Sequence, residues 1–406
     1  MSTTDTAQPL RALRALDIEP SVAAIALALL LVALGFDRAS DGIFLTPRNL
    51  TNLAVQSSVV GIMATGMVLV IGARHIDLAV GSAVGFAGML AAVAQTQWLS
   101  AGAPSTALVA LGVGAALVSG IAIGLWQGYW VAHRAVPAFV VTLAGLLVFR
   151  GGAYLLTDGR TIAPLDPAFE MLGGGINGSI GATWSWLLAS AAVAGLAYST
   201  LIRRRERQRH GIAAAPVWAD AMRFGIASIC VIAVVTVMNA YTLPRSDIPR
   251  GLPLPVLFLI AAWLGVDLLA RRTTFGRYAF AIGDNPDAAA LSGVPIARVT
   301  VGVFALMGAL AGLAGALTAA RLGAGASSMG TLQELNVIAA VVIGGTTLRG
   351  GSGSVGGAVL GAVFMQSLEN GMVLLDVSTA MRQVCSGLVL LFAVWLDSAT
   401  RKRRTS

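Results

Sequence analysis

Twelve apolar runs follow one another along the chain, at about 21–36, 54–72, 77–95, 106–131, 136–156, 183–201, 224–242, 254–270, 299–320, 336–348, 355–375 and 383–397. No other feature limits the possible folds so strongly. A bilayer core takes roughly 20 apolar residues per helical crossing, and within lipid each backbone amide must find its partner inside its own helix or in a closed barrel. Continuous runs without period-2 alternation predict helices. Because several runs are short or broken by glycine, the expectation is an all-α polytopic membrane protein with about ten to twelve spans.

Composition agrees and closes off other classes. Only 11% of the 406 residues are charged and 56% are hydrophobic, with a mean hydropathy of +0.80, whereas a soluble chain carries about 25% charged residues. The formal charge of +8 finds its explanation in membrane topology, so no nucleic-acid partner is implied. Lysine occurs once, at Lys402, which excludes a GxxxxGK[ST] phosphate loop and ATP hydrolysis by that route. Cys230 and Cys385 lie far apart in apolar runs and read as packing residues. His75, His133 and His210 sit at the ends of segments without a surrounding His/Cys/Asp cluster, so no metal site and no cofactor is expected.

The arginines set the orientation. Residues 1–20 read as a cytoplasmic segment before a retained first anchor, because no small-residue cleavage site follows. With the N-terminus inside, the connections 1–20, 73–76, 132–135, 202–223, 271–298 and 397–406 hold 18 of the 27 Lys and Arg residues, and the other side holds six. Positive residues stay on the cytoplasmic side, which places both termini there. The division expected is a cytoplasmic segment 1–20, a permease domain 21–397 with cytoplasmic connections 202–223 and 271–298, and a basic tail 398–406. Thr46 as N-cap, Pro47, and then Leu50, Leu53 and Ala54 on one face predict a short interfacial helix over 46–54, the alternative being an early start to the second span.

An offset of 272 residues brings Val70-Ile71-Gly72 onto Val342-Ile343-Gly344, Gly81-Ser82 onto Gly353-Ser354, and Gly85 onto Gly357. Transporters often repeat a hydrophobic unit and place glycine-interrupted helices at matching positions near the substrate path. On this basis Asp77, Gly81, Ser82, Gly344, Gly345, Gly351 and Gly353 are the candidate breaks lining a translocation path. The G-x-G-x-x-G formed by Gly351 to Gly356 is not a dinucleotide site: an apolar membrane segment precedes it, and Glu369 comes too early for the ribose contact. A flexible break and close helix packing both remain open for it. Asp77 opens its segment, where capping is favoured over a functional intramembrane charge. Asp267 and Asp376 are also near segment ends, and no acid lies in mid-run to serve as a proton relay.

The connection 271–298 is polar, and its stretch Asp287 to Gly293 is compatible with a helix capped by Asp284, Asn285 or Asp287 and ended by Gly293 and Pro295. From the residues alone it reads either as an ordinary loop or as a short helix shown to a cytoplasmic partner.

The segments FLTPRNLTNL (44–53), HIDLAVGS (75–82), VPAFVVTLAGLLVFRG (136–151), GRYAFAIGDNPDAAALSGV (276–294), LNVIAAVVIGGTTLRGGSGSVGG (335–357) and LENGMVLLDV (368–377) resemble, in that order, the permease subunits of bacterial ATP-binding-cassette (ABC) importers for monosaccharides, the ribose, galactose and xylose group. The likeness covers nearly the whole chain. It is strongest to the D-xylose members, through LENGMVLLDV, RLGAG (321–325) and AVWLDSATRKRR (393–404). The resemblance implies a helical permease working as a pair of copies, with separate cytoplasmic ABC ATPase subunits and an extracytoplasmic sugar-binding protein. It also implies that Asp287, Ala288, Ala289 and Gly293 are the motif coupling permease to ATPase, with Asp where the family has Glu. Arg74-His75 depart from the small or acidic residue usual before Ile-Asp-Leu.

The function expected is passage of a neutral monosaccharide, D-xylose foremost, across the bacterial inner membrane, with no catalytic residue in this chain. The rivals are an ion-coupled secondary carrier and a non-transporting membrane scaffold. A neutral pentose needs hydrogen-bonding side chains rather than charges, consistent with the lack of mid-span acids.

Overall fold

A computed structural model describes residues 20–98, 102–175, 177–210, 216–243 and 246–405; the N-terminal segment 1–19 and part of the 202–223 connection lie outside them. The described chain is helical: α1 (Pro20–Ala39), α2 (Pro47–Gly72), α3 (Val80–Gln97), α4 (Ser105–His133), α5 (Ala138–Leu155), α6 (Pro167–Glu170), α7 (Gly181–Arg209), α8 (Val217–Ala240), α9 (Leu254–Arg272), α10 (Thr274–Asp284), α11 (Pro286–Leu291), α12 (Ile296–Leu322), α13 (Gln333–Ile343), α14 (Val355–Leu374) and α15 (Thr379–Thr405). No sheet forms among the described residues, only isolated bridges such as Ile162 to Gly325.

Nine of these helices are long and apolar enough to cross a bilayer, and α13 and the apolar part of α15 are shorter apolar helices. The chain is a multi-pass membrane protein. Burial separates the axis from the rim: 89% of the apolar window of α2 is buried, against 6% for α1 and 11% for α7 and α8. A helix apolar on every side can be buried on every side, and α2 occupies that central position through Ile62, Met63, Met67, Leu69 and Ile71. On α1, Leu27, Leu30, Leu31 and Leu34 stay exposed, as expected of a face turned to hydrocarbon.

Lipid tails are as apolar as leucine, so helices associate in a membrane largely through close backbone packing at small residues. The pair α4 and α12 shows this. Gly120 and Gly124 of α4 press on the backbone of Gly308, Gly312 and Phe304, and Gly308 presses back on the carbonyl of Gly120. Any side chain there would force the helices apart.

Two expectations need correction. Residues 46–54 do not form a separate interfacial helix, because α2 runs unbroken from Pro47 to Gly72 with Thr46 as its cap, accepting from the amide of Asn49. Thr46 and Pro47 mark the start of the span itself. Cys230 is exposed and Cys385 only partly buried, so Cys230 is not an interior packing residue.

Candidate functional site

Helices α10 and α11 lie at the arginine-rich end of the bundle, and their form follows from local chemistry. The Thr273 hydroxyl accepts the amide of Gly276 and opens α10. The Asn285 side chain accepts the amide of Ala288 at 3.0 Å, with Pro286 in the first turn, and opens α11. Of the three capping candidates it is Asn285 that caps. At the far end Gly293 donates to Ala290 and Val294 to Ala289, a pair of bonds that closes a helix over a left-handed residue. Gly293 supplies it with φ +79°. Asp287, Ala288 and Gly293 are exposed, whereas Ala289 is buried in the main core. Beside them Leu291 is 91% exposed, the most prominent apolar side chain of this helix.

Three glycine-bearing stretches meet under this helix pair. Gly283 of α10 is pressed onto the carbonyl of Gly72, the last residue of α2, and the Gly351 amide donates to that same carbonyl at 2.9 Å. A methyl group on Gly283 would also come within 2.6 Å of the Gly351 nitrogen. Gly351, at φ +81°, lies against Asp284, and Gly350 lies against Gly283. The connection 344–354 is tied internally: Thr347 donates its hydroxyl to the Gly350 carbonyl at 2.6 Å, and Ser354 caps α14 by accepting from Gly357. Gly344 lies against Gly357, Gly345 has φ +89°, and Gly353 fits between Val68 and Thr346.

The matching connection, 73–79, holds Asp77, which is 3% exposed and accepts the Ala79 amide at 2.8 Å. It thus binds a free amide at the start of α3. Thr142 of α5 donates to the carbonyl of Ile76 and ties the same connection from the other side. The 272-residue offset does not keep its register through the two units, since Gly81 and Ser82 lie in the first turn of α3 whereas Gly353 and Ser354 precede α14; the two stretches do meet, where the Gly351 amide reaches the carbonyl of Gly72 at the end of α2.

Deeper in the bundle lies a feature that sequence reading missed. After α12 the chain passes back inward as non-helical backbone over 323–332 before α13 begins. Gly81, the second residue of α3, is in contact with the carbonyl of Gly330 and the carboxylate of Glu334, and Gly85 faces Met329 and Arg150. Arg150 of α5 donates to the carbonyls of Ser327 at 3.2 Å and Met329 at 2.7 Å. Ser82 and Glu334 are buried, each with a side-chain oxygen lacking a hydrogen-bond partner. The available signals were Arg150 inside an apolar run and Glu334 just before one.

At the opposite end a cavity of about 580 Å³ opens between the start of α2, the 173–175 turn and the ends of α12 and α14, lined among others by Arg48, Asn52, Tyr241, Arg250 and Arg321. Arg250 stacks on Tyr241 at 4.8 Å and donates to the carbonyls of Gly174 and Gly175; Arg321 donates to Asn52 at 3.2 Å. Among the described residues no group of His, Cys, Asp and Glu could hold a metal ion.

A multi-pass bundle with broken spans, joined at one end to a short capped polar helix, has the build of a transporter's membrane subunit. The chain belongs to the family described as branched-chain amino acid transport system / permease component, whose model matches residues 49–394. Over 93% of its length it is 40% identical to the xylose transport system permease protein XylH of Escherichia coli (strain K12), covering 91% of that protein. It is 39% identical to the xylose transport system permease protein XylH of Haemophilus influenzae, over 96% of this chain and 99% of that one. The ribose import permease protein RbsC of Escherichia coli (strain K12) is 33% identical over 87% of each chain. No solved structure matches. The membrane permease expected from the sequence is what these findings give.

Proposed function

We propose that the chain is the membrane subunit of an ABC importer that passes D-xylose inward across the bacterial inner membrane, driven by ATP hydrolysis on separate subunits. The observation that carries this reading is the junction of Gly72, Gly283 and Gly351. Backbone packed on backbone cannot give without moving its neighbour, so a push on α11 reaches, through α10, the end of α2 ahead of the 73–79 connection into α3 and the glycine connection 344–354 into α14. In this reading Asp287, Ala288 and Gly293, together with the protruding Leu291, form the contact with the ATPase, and Ala289 anchors the helix to the core. Asp77, Gly344, Gly345, Gly351 and Gly353 in the two connections, with Gly81 and Ser82 in the first turn of α3, form the moving parts that switch access to the path.

The arginine-rich end, with both termini, faces the cytoplasm by the charge bias of its connections. The opposite cavity, carrying Arg48, Arg250 and Arg321, faces a sugar-binding protein. A second copy of the chain completes the path. The names of the xylose and ribose relatives support a monosaccharide cargo, and the lack of a phosphate loop supports separate ATPases.

The test is reconstitution of the permease with its ATPase and binding protein in liposomes. Uptake of labelled xylose should require ATP inside and persist when an uncoupler abolishes ion gradients. Uptake that follows the ion gradient and ignores ATP would establish the ion-coupled carrier instead.

A further inference from the structure

The inward-turning segment 323–332 is unusual in what it exposes and in what holds it. Gly325 lies against Ala92 and Gly330 against Gly81, so between these glycines the non-helical chain descends alongside α3 by about 16 Å at 1.5 Å per helical residue. It bridges to Ile162 at its upper end and is fixed by the Arg150 guanidinium at Ser327 and Met329 below. Ser328 and Thr331 are nevertheless exposed, the Thr331 hydroxyl donating to the Ser328 carbonyl at 2.6 Å and so left to accept, and Leu332 is exposed too, starting α13 in the left-handed conformation at φ +61°. Irregular backbone with exposed hydroxyls cannot face hydrocarbon at that depth; it is tolerated only where it is buried in protein or lines a water-filled cavity. Exposure rules out burial within this chain, and with the proposed second copy completing the path this face is left to the path itself, where the hydroxyls match a ligand whose surface is itself hydroxyl groups.

We propose that 323–332 is a gate across the sugar route, that Ser328 and Thr331 present the hydroxyls a passing monosaccharide meets, and that Arg150 is the positioning residue that holds the gate shut. The proposal deepens the transport reading and rests on it. Arg150 suits the role because it is charged and one of its nitrogens, Nη1, reaches both carbonyls of a chain that otherwise has only turn bonds of its own, such as Met329 to Ala326 and Thr331 to Ser328. Glu334, just past the gate and against Gly81, puts the opposite charge near the same α3 face that Arg150 and Met329 meet at Gly85. A shift of α3 would move Gly81 and Gly85 under both charges, and the segment would have to follow.

The experiment uses the whole transporter, permease with ATPase and binding protein, in liposomes. Arg150→Met should raise the ATP-independent efflux of preloaded xylose by about tenfold, since charge-assisted bonds to two carbonyls are lost. Arg150→Lys, which retains a charged donor, should remain within about twofold of the unaltered complex, a rescue that bulk packing alone does not predict. An Arg150→Met complex as tight as the unaltered one, or an Arg150→Lys complex that leaks equally, overturns the proposal.

Should Arg150→Met fail to assemble, Thr331→Cys reads the segment directly, with Cys230→Ser and Cys385→Ser in the background. A small membrane-impermeant thiol reagent should modify it at a rate that differs about fivefold between nucleotide-free and ATP-bound complexes, as access to water at that depth changes. A site that is inert in both states, or equally reactive in both, overturns the gate. Absence of ATP-driven xylose uptake by the unaltered complex is a different failure: it removes the transport reading, whatever the labelling shows.

Discussion

Gly293→Val tests the proposed coupling helix apart from the rest of the bundle, because the space around Gly293 is open: a Cβ built there meets nothing within 4 Å. The substitution therefore causes no clash, and its whole cost is conformational. At φ +79° an L-residue pays roughly 1–2 kcal/mol, and a β-branched one falls at the upper end. With 1.4 kcal/mol for each factor of ten, 2 kcal/mol shifts the equilibrium between closed and frayed helix end by about 30-fold. The six-residue α11 has little else to resist fraying, since so short a helix is marginal by itself and Ala289 is its only fully buried residue. The bundle should still insert and be recovered in normal amounts. Binding-protein-stimulated ATP hydrolysis should fall by about tenfold and the ATPase should co-purify poorly, whereas Gly293→Asn, which tolerates the left-handed region, should stay within about twofold. Full stimulation and full ATPase retention in Gly293→Val would refute the reasoning and leave α11 as a connector.

Three further outcomes are expected. Leu291→Asp, at a side chain 91% exposed, should not affect insertion but should release the ATPase, since losing a buried leucine contact costs about 1.5–3 kcal/mol; pull-down from solubilised membranes measures it, and unchanged retention places the contact elsewhere. Gly283→Ala should abolish ATP-driven uptake while ATPase binding persists, because its methyl group would strike the Gly72 carbonyl and the Gly351 amide and overpacking costs about 1–3 kcal/mol; normal uptake would show that the junction does not transmit motion. Single Arg205→Cys and Asn285→Cys variants, made in a background free of Cys230 and Cys385, should resist an impermeant thiol reagent added to intact cells and react in inside-out vesicles; the reverse pattern inverts the topology.

The sequence made the spans legible because hydropathy and backbone satisfaction leave a membrane helix few alternatives. Most segment ends agree with the helices to within a few residues, and the place of α11 was legible to within two residues through its cap candidates, Asn285 among them, and its terminator Gly293, since caps and left-handed glycines act locally. The 46–54 helix was misplaced for the opposite reason: Thr46 and Pro47 mark a helix start but say nothing of where that helix ends, which only the burial of α2 decides. Long-range geometry was not legible at all. Nothing near Gly72, Gly283 or Gly351 in the chain shows that the three meet, and Arg150, though it stands inside an apolar run, has no visible role until its carbonyl partners, 177 and 179 residues away, are known.

That division between local and distant information bears on how such a machine works. The proposed motor contact at α11 is built from adjacent residues and can be read, altered and tested by itself. The link proposed from it to the path is a set of glycine contacts in which each partner supplies only backbone, so no side-chain motif records it. Such contacts are nevertheless the stiffest coupling available, because a carbonyl against a Cα leaves no rotamer to absorb a displacement. A flexible side chain at the Gly72, Gly283 and Gly351 junction would take up motion that the present arrangement must pass on. On the proposed reading the glycines at this junction serve transmission rather than flexibility, and Gly283→Ala, whose methyl group would displace the Gly72 carbonyl and the Gly351 amide, is the smallest change that tests it.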